Sequence, residues 1–348
     1  MLTCPTLLQG VDHCCATATA IEFVNECATP VDIYWENAQG QRTRYMTLQP
    51  GGNYRQDTYV GHVWVVLAGD IHVHSCVGTQ APSTVIVRPL HGEPAALRRE
   101  DDGEQVCSDG YRQRGTATLK GGKVSVFAFG FVSKQAIGIA ARTVEWMLQD
   151  ADADICRRLV ERKITLAVIG EKQVTSDMPP HNFLKGLRTS DHRCFDDGCR
   201  GVGGTCAVPC TSVGEENCLM SAADPFSNES ILVHEFGHCV MNCGFDREQM
   251  QRVNACYQGA MNAGGHGDKG TYMMSNVEEY WAELTQAWFH ASIRTDVNNG
   301  IRTRGDVERR DPNAAALLAL VYGQGKWRYT QDCPNVAKWE LSKHGLMP

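Results

Sequence analysis

The sequence lacks several features that mark whole classes of protein. It has no apolar run of membrane-spanning length, no internal repeat and no low-complexity tract. Its 33 Lys and Arg residues are outnumbered by 40 Asp and Glu residues, which gives a formal net charge of -7. Basic residues adjoin only briefly, as at Arg98-Arg99 and Arg157-Arg158. We therefore expect no membrane span and no nucleic-acid partner.

The first residues, Met1 to Pro5, have neither the charged nor the apolar region of a signal peptide. In contrast, the chain has 16 cysteines. Five of them lie in a glycine-rich stretch without clear periodicity, namely Cys194, Cys199, Cys206, Cys210 and Cys218. Because such a stretch needs cross-links to be ordered, the cysteines predict disulfide bonds and an extracellular or secreted protein. The alternatives are a structural zinc site or reduced thiols in the cytoplasm.

An H-E-x-x-H motif, with His234, Glu235 and His238, constrains function most. The polar segment Ser227 to Ser230 and the apolar run Ile231 to Val233 predict that a helix begins just before it. Two histidines four residues apart lie on one face of a helix, so both imidazoles can bind one metal ion. A catalytic zinc takes three protein ligands and lowers the pKa of a water to roughly 7. Glu235 can accept the proton of that water. The motif therefore predicts one catalytic Zn²⁺ and a hydrolase.

The third zinc ligand must come from elsewhere in the chain. The metzincin arrangement is excluded, because methionine and glycine stand where it requires glycine and histidine. A later segment predicts a helix that begins with a capping box formed by Ser275 and Glu278. On that helix Glu279 and Glu283 share one face, so one can bind the metal while the other orients a ligand histidine. The spacing alone leaves the two roles open.

These residues resemble those of glu-zincin peptidases, which pair an HExxH helix with a glutamate on a following helix. The sequence is similar above all to the anthrax lethal-factor-like group, over Ile231 to Val240 and Gly270 to Phe289. The resemblance implies that Glu279 is the third ligand and that Glu283 lies behind the ligands. It also implies that the hydroxyl of Tyr272, seven residues before Glu279, stabilises the oxyanion. The alternative for Tyr272 is a half-buried loop tyrosine.

Four segments near the N terminus alternate apolar and polar residues between turn-forming residues, which predicts a small β-sandwich. They are Ile21 to Asn25, Val31 to Trp35, Tyr45 to Gly51 and Thr58 to Trp64. Their order and spacing resemble the von Hippel-Lindau β-domain, whose aromatic-lined pocket binds hydroxyproline. The resemblance implies a peptide-binding pocket formed by Tyr45, Thr58, His62 and Trp64. The alternative is that the two large aromatics belong to the core of the sandwich.

The resemblance to the von Hippel-Lindau β-domain stops near residue 92, where a charged segment begins. No counterpart of the helical domain that recruits ubiquitin-ligase partners is visible, so such partners are not expected. At 348 residues the chain has the length of a protein with two or more domains. We expect a tail over residues 1–17, the all-β sandwich over 18–95, a linker over 96–120 and an α+β zincin-like metallopeptidase domain over 121–348.

The sequence thus predicts a zinc endopeptidase whose β-domain is an exosite for a protein or peptide substrate. Hydroxyproline-containing chains are the hypothesised substrates, since hydroxyproline is what the resembled pocket binds. Two alternatives belong to other classes. One is a peptide-binding, hydroxyproline-reading module with an inactive peptidase-like domain. The other is a zinc-dependent hydrolase that acts on carbonyl compounds other than peptides.

Overall fold

The computed structural model describes residues 18–27, 29–36, 42–59, 62–68, 71–78, 82–87, 110–187, 193–332 and 339–344. The chain divides into two compact units, Met1–Pro94 and Ala95–Pro348. The predicted tail and residues 96–109 of the predicted linker lie outside the described residues. Among the helices in the described ranges, none combines the length and the apolar character that crossing a membrane requires.

The first unit is built from two β-sheets. Its strands are β1 (Ala18–Asn25), β2 (Val31–Glu36), β3 (Arg42–Leu48), β4 (Asn53–Tyr59), β5 (Val63–Ala68), β6 (Ile71–Val77) and β7 (Ser83–Val87). One sheet has the strand order β4-β1-β7 and the other the order β3-β2-β5-β6. Strand β1 runs antiparallel to β4 and parallel to β7, whereas the second sheet is antiparallel throughout.

Alternating residues of both sheets form one hydrophobic core in this unit. Ile21 and Phe23 of β1, Ile33 of β2 and Trp64 of β5 are all at most 1% exposed. They belong to a single buried cluster that takes residues from both sheets. A period of two along each strand places one set of side chains inside. The predicted β-rich N-terminal domain is therefore confirmed.

The second unit contains a five-stranded sheet with the order β11-β12-β10-β9-β8. Its strands are β8 (Tyr111–Leu119), β9 (Gly122–Phe129), β10 (Thr165–Ile169), β11 (Gly201–Val202) and β12 (Cys210–Gly214). Strands β9, β10 and β12 are parallel, and each edge strand is antiparallel to its neighbour. The predicted linker is wrong for residues 111–119, because Ala117 and Leu119 of β8 pack into the core of this unit. The predicted linker, residues 96–120, includes both the charged segment and strand β8.

Ten α-helices are described in the second unit, which therefore combines helices with a sheet. They are α1 (Lys134–Leu148), α2 (Ala153–Glu161), α3 (Phe195–Gly198), α4 (Glu215–Leu219), α5 (Ile231–Cys239), α6 (Arg247–Asn262), α7 (Val277–Trp288), α8 (Arg304–Arg310), α9 (Pro312–Tyr322) and α10 (Tyr329–Asp332). Ser133 caps α1, and Asp311 caps α9 with Pro312 in its first turn. These caps satisfy backbone N–H groups at the first turn of each helix.

The predicted disulfides are not formed within the described residues. Within this stretch, Cys194 and Cys210 carry thiols. The stretch is ordered by other bonds, since β11 pairs with β12 and the hydroxyl of Thr175 donates to the carbonyl oxygen of Cys199 at 2.7 Å. Arg200 and Glu216 add an ion pair with a nitrogen-to-oxygen distance of 2.5 Å. Cross-links are therefore not needed to order this stretch, and the location inferred from them stays a prediction.

Candidate metal centre

Helix α5 carries the HExxH motif and begins with two hydrogen bonds to its free N–H groups. The hydroxyl of Ser230 accepts from Val233 N–H at 3.3 Å, and the side-chain oxygen of Asn217 accepts from Ile231 N–H at 2.8 Å. Val233 and Phe236 are fully buried in the core. The helix is thus fixed at its start and along its apolar face. A short π-helix, Val240–Gly244, continues from its end.

Helix α7 packs against α5 and supplies the carboxylates. Its N-cap is Asn276, whose side-chain oxygen accepts from Glu279 N–H at 2.8 Å. The predicted capping box of Ser275 and Glu278 is therefore wrong, because the adjacent asparagine takes the cap position. The indole N–H of Trp281 donates to the carbonyl oxygen of Gly237 at 3.1 Å, which ties α7 to the middle of α5.

The two helices bring three side chains of the predicted site to one point. Nε2 of His234 lies 3.2 Å from Nε2 of His238 and 3.0 Å from Oε2 of Glu279. Nε2 of His238 lies 3.5 Å from the same carboxylate oxygen. Within the described part of the chain, these three residues form the one group of histidine, cysteine and acidic side chains close enough to hold a metal ion.

These distances fit a zinc ion. Zinc binds histidine nitrogen and carboxylate oxygen at about 2.0–2.2 Å, and two such ligands in a tetrahedral arrangement are about 3.3 Å apart. The three measured separations lie on both sides of that value. Two imidazoles with one carboxylate are also a donor set used by catalytic zinc sites. His234, His238 and Glu279 can therefore hold zinc with little rearrangement.

A second layer of polar residues lies behind His234. Its Nδ1 atom is 3.4 Å from Oε1 of Gln286 and 3.7 Å from Oε1 of Glu283. The amide nitrogen of Gln286 donates to the carbonyl oxygen of Ser230 at 3.0 Å and to Glu229 at 3.3 Å. The amide oxygen is thereby left facing His234. Glu283, the residue predicted for this layer, lies in it. Gln286 was not predicted from the sequence.

The carboxylates around His234 shift the pKa values at the centre. Burial disfavours charge on His234, but the hydrogen bond and charge of Glu279, with the charges of Glu235 and Glu283, raise the pKa of His234 to about 10. Burial opposes ionisation of Glu279, yet hydrogen bonds from His234 and His238 hold its pKa far below the ordinary value. Burial raises the pKa of Glu283 to about 7. Such a centre favours a cation.

Glu235 and Tyr272 lie beside the three candidate ligands. Burial raises the pKa of Glu235 although both histidines lower it, which makes its carboxylate a better proton acceptor. The ring of Tyr272 lies 6.2 Å from the ring of His234, centroid to centroid, with an angle of 26° between the planes. Burial and the charge of Glu279 raise the pKa of Tyr272. Its hydroxyl therefore stays protonated and can donate a hydrogen bond.

A cleft of about 590 Å³ opens onto this centre. The candidate ligands, Glu235 and Tyr272 line it together with a wall formed by residues of the 193–203 segment. Part of that wall requires glycine. A Cβ atom on Gly203 would lie 2.5 Å from Cβ of His238, and one on Gly201 would lie 2.9 Å from Cγ of Glu235. The backbone at β11 and just after it thus lies so close to the HExxH helix that a side chain at Gly201 or Gly203 would clash with it.

The predicted pocket of the first unit is only partly brought together. The indole N–H of Trp64 donates to the hydroxyl of Thr58 at 2.9 Å, and the Tyr45 ring meets Trp64 edge-on with centroids 4.8 Å apart. His62 instead lies against the rings of Trp35 and Tyr59, at 5.5 and 5.3 Å. Trp64 is 1% exposed and belongs to the core, whereas Tyr45 is 48% exposed.

The comparison with protein families gives a match in the first unit. The family model for the VHL beta domain matches residues 13–76. The predicted N-terminal module of this kind is thereby confirmed, and its β-rich fold agrees with the strands described above. The match does not reach the residues of the metal centre. A search of characterised proteins gave no significant match to the chain.

Proposed function

We propose that the chain is a zinc-dependent endopeptidase of the glu-zincin type, with the N-terminal β-rich unit as a peptide-binding exosite. His234, His238 and Glu279 would hold one Zn²⁺. The observation that carries the proposal is the meeting of these three side chains, at 3.0 to 3.5 Å, next to a partly buried glutamate on the floor of an open cleft. A structural zinc site is closed by protein ligands, whereas a catalytic one faces a substrate cleft.

The chain's own residues account for the proton transfers of peptide hydrolysis. Zinc, when bound, supplies a Lewis acid that polarises the scissile carbonyl and makes water more acidic. Glu235 accepts a proton from the attacking water, and its raised pKa allows it to donate that proton to the leaving amine. Tyr272 donates a hydrogen bond to the oxyanion that develops on the substrate carbonyl. Gln286 and Glu283 hold the ring of His234 in orientation from behind.

Substitution of Glu235 tests this function. The Glu235→Gln protein should retain one zinc per chain, because Glu235 is not a ligand, and should lose about 10²–10⁴-fold in kcat/KM for peptide cleavage. Zinc content measured by mass spectrometry and cleavage of a mixed peptide library give the two readouts. The control is Glu248→Gln, on the exposed face of α6, which should change neither readout.

Two outcomes would overturn the endopeptidase proposal. If Glu235→Gln cleaves peptides at the wild-type rate, Glu235 is not the proton acceptor. If the zinc-loaded wild-type protein cleaves no member of the library, the second unit is an inactive peptidase-like domain or acts on another carbonyl compound. In that case one of these two alternatives would replace the endopeptidase proposal.

For the exosite, the supporting observations are the family match and the exposed surface at Tyr45, whose ring packs edge-on against the buried Trp64, which in turn donates a hydrogen bond to Thr58. We propose that this surface binds extended peptides and that hydroxyproline is its preferred residue. Calorimetry with paired proline and hydroxyproline peptides tests the preference on the full chain. Equal affinity for the two peptides would contradict it, since the 4-hydroxyl would then find no partner.

A further inference from the structure

Tyr272 follows a loop that has little stiffness of its own. Four of the eight residues at positions 263–270 are glycine. The three glycines within residues 264–267 have φ angles of 98°, 66° and 129°, and His266 among them has a φ angle of 59°. Glycine loses more conformational freedom on folding than any other residue, so ordering this loop has a large entropic cost. Contacts from outside the loop are therefore needed to fix Tyr272 beside the metal centre.

The side chain of Asn299 makes such contacts. Its amide nitrogen lies 2.8 Å from the carbonyl oxygen of Gly265, 2.9 Å from that of Asp268 and 3.1 Å from the hydroxyl oxygen of Thr271. The two hydrogens of the amide are shared among these three acceptors. One side chain is thus bonded to the start, the middle and the end of the loop, and its last contact is one residue before Tyr272.

The backbone of the segment that carries Asn299 is also bonded to the loop and to the residue after Tyr272. The carbonyl oxygen of Asn299 accepts from Nη1 of Arg310 at 2.6 Å, and the same guanidinium donates to a carbonyl oxygen of the loop. The carbonyl oxygen of Val297 accepts from the N–H of Met273 at 2.9 Å. Tyr272 is therefore held on both sides by residues of the 297–299 segment.

The backbone at Asn299 favours a particular kind of residue. Its φ angle of 54° lies in the left-handed region, which glycine adopts freely and asparagine with less strain than most other residues. Of these two residues, only asparagine has an amide that can donate to the loop. Glycine at this position would keep the backbone conformation accessible and remove only the amide.

We infer that Asn299 is a positioning residue for peptide hydrolysis, which holds the Tyr272 hydroxyl at the place where the oxyanion develops. The inference rests on the proposed peptidase function. A hydrogen-bond donor stabilises the oxyanion only when it lies within about 2.7–3.1 Å of it, so a small displacement of the loop is enough to weaken the transition state. The substrate is not yet an oxyanion when it binds, so its affinity should depend less on the loop.

Substitution of Asn299 by glycine tests the role without adding backbone strain. In Asn299→Gly, kcat should fall about 10-fold and KM should change little, because the lost interaction is made mainly in the transition state. The control is Lys163→Gly, at an exposed position with a φ angle of 53°. It makes the same kind of change at the same kind of backbone position and should leave kcat and KM as in the wild type.

A second substitution separates positioning from a general effect on the fold. In the Tyr272→Phe protein the hydroxyl is absent, so adding Asn299→Gly should reduce kcat little further. If Asn299 only supports the fold, the reduction should be the same in both backgrounds. Thr271→Val removes one of the three contacts with little change of shape and should give the same pattern with a smaller fall in kcat. It serves as the test if Asn299→Gly does not fold, which zinc content and thermal midpoint show.

A further readout does not depend on turnover. A phosphinic peptide has a tetrahedral group that resembles the oxyanion intermediate, so Asn299→Gly should weaken its binding about 10-fold in calorimetry. Binding of a substrate peptide to the cleavage-defective Glu235→Gln protein should change little when Asn299→Gly is added. An unchanged kcat, an effect on KM alone, or equal effects with and without the Tyr272 hydroxyl would overturn the role of Asn299. Each of these leaves the peptidase function standing, whereas absence of all cleavage by the wild type would count against that function instead.

Discussion

The amide oxygen of Gln286 lies 3.4 Å from Nδ1 of His234, on the side of the imidazole opposite to Glu279. Gln286 is fully buried, and its amide nitrogen is engaged by the carbonyl oxygen of Ser230 at 3.0 Å. The orientation of the amide is thus set by the start of α5, the same helix that carries His234. Helix α5 thereby determines both the position of its ligand and the hydrogen bond that orients it.

Replacing Gln286 should weaken metal binding without removing a ligand. Gln286→Ala leaves the ring of His234 without its amide partner, so the zinc dissociation constant should rise by about 10–100-fold. Competition with a chelator of known affinity measures it. Gln251→Ala, at an exposed position of α6, is the control and should bind zinc as the wild type does. Unchanged affinity in Gln286→Ala would assign the orienting role to Glu283 alone.

Only the local part of the candidate site could be predicted from the sequence. His234 and His238 were placed together by the period of one helix, which is a local property. On α7 the same period puts Glu279, Glu283 and Gln286 on one face, but the rotation of α7 against α5 decides that Glu279 meets Nε2 of His234 while Glu283 and Gln286 lie near its Nδ1. That rotation depends on packing contacts such as Trp281 with Gly237, which no local pattern contains.

Residues distant in sequence were harder to find. Arg193 lines the cleft from a position two residues before α3, and the local sequence does not indicate that position. The N-cap of α7 was predicted one residue too early, because serine and asparagine are both good caps and stand side by side. In the first unit, the alternation of buried residues along β1, β2 and β5 was readable directly.

Gly203 should be required for a competent metal centre. In Gly203→Ala the new Cβ would lie 2.5 Å from Cβ of His238 and 3.0 Å from the carbonyl oxygen of Glu235. Either α5 or the β11 segment must shift, at a cost of about 1–3 kcal/mol, and zinc affinity should fall with it. Chemical denaturation and zinc titration give both quantities.

Gly259→Ala is the matched control for that change. This glycine lies in α6 with no atom within 4 Å of the added Cβ, so the substitution should raise the free energy of unfolding by about 0.5–1 kcal/mol. If Gly203→Ala and Gly259→Ala have the same stability and zinc affinity, the close approach of Gly203 to His238 does not affect the metal centre.

The hydrogen bond between Trp64 and Thr58 should stabilise the first unit. Thr58→Val keeps the shape of the side chain but leaves the buried indole N–H without an acceptor, which costs about 1–3 kcal/mol. Denaturation of the full chain, followed by tryptophan fluorescence, should show the unfolding of that unit at lower denaturant. Thr43→Val, at an exposed position of β3, should have no such effect. Equal midpoints for the two variants would mean that the bond contributes nothing net.

His181 should make the stability of the second unit depend on pH. It lies in the short 3-10 helix Pro179–Leu184, is 1% exposed, and has no hydrogen-bond partner for either ring nitrogen among the described residues. Burial lowers its pKa from 6.5 to about 4. Between these two pH values the unfolded chain binds the proton and the folded chain does not, so the free energy of unfolding falls as the pH falls from 6.5 to 4.

The His181→Leu variant removes that proton site together with the two unpartnered nitrogens. Its free energy of unfolding should exceed that of the wild type by roughly 1 kcal/mol near pH 8, where the imidazole is neutral in both states. The difference should widen by up to about 3 kcal/mol as the pH is lowered from 6.5 to 4, at 1.36 kcal/mol per pKa unit. Urea denaturation of both proteins, with a chelator present so that zinc release does not contribute, measures the difference across the range. A difference that stays constant with pH would show that His181 takes up its proton in the folded state as readily as in the unfolded one.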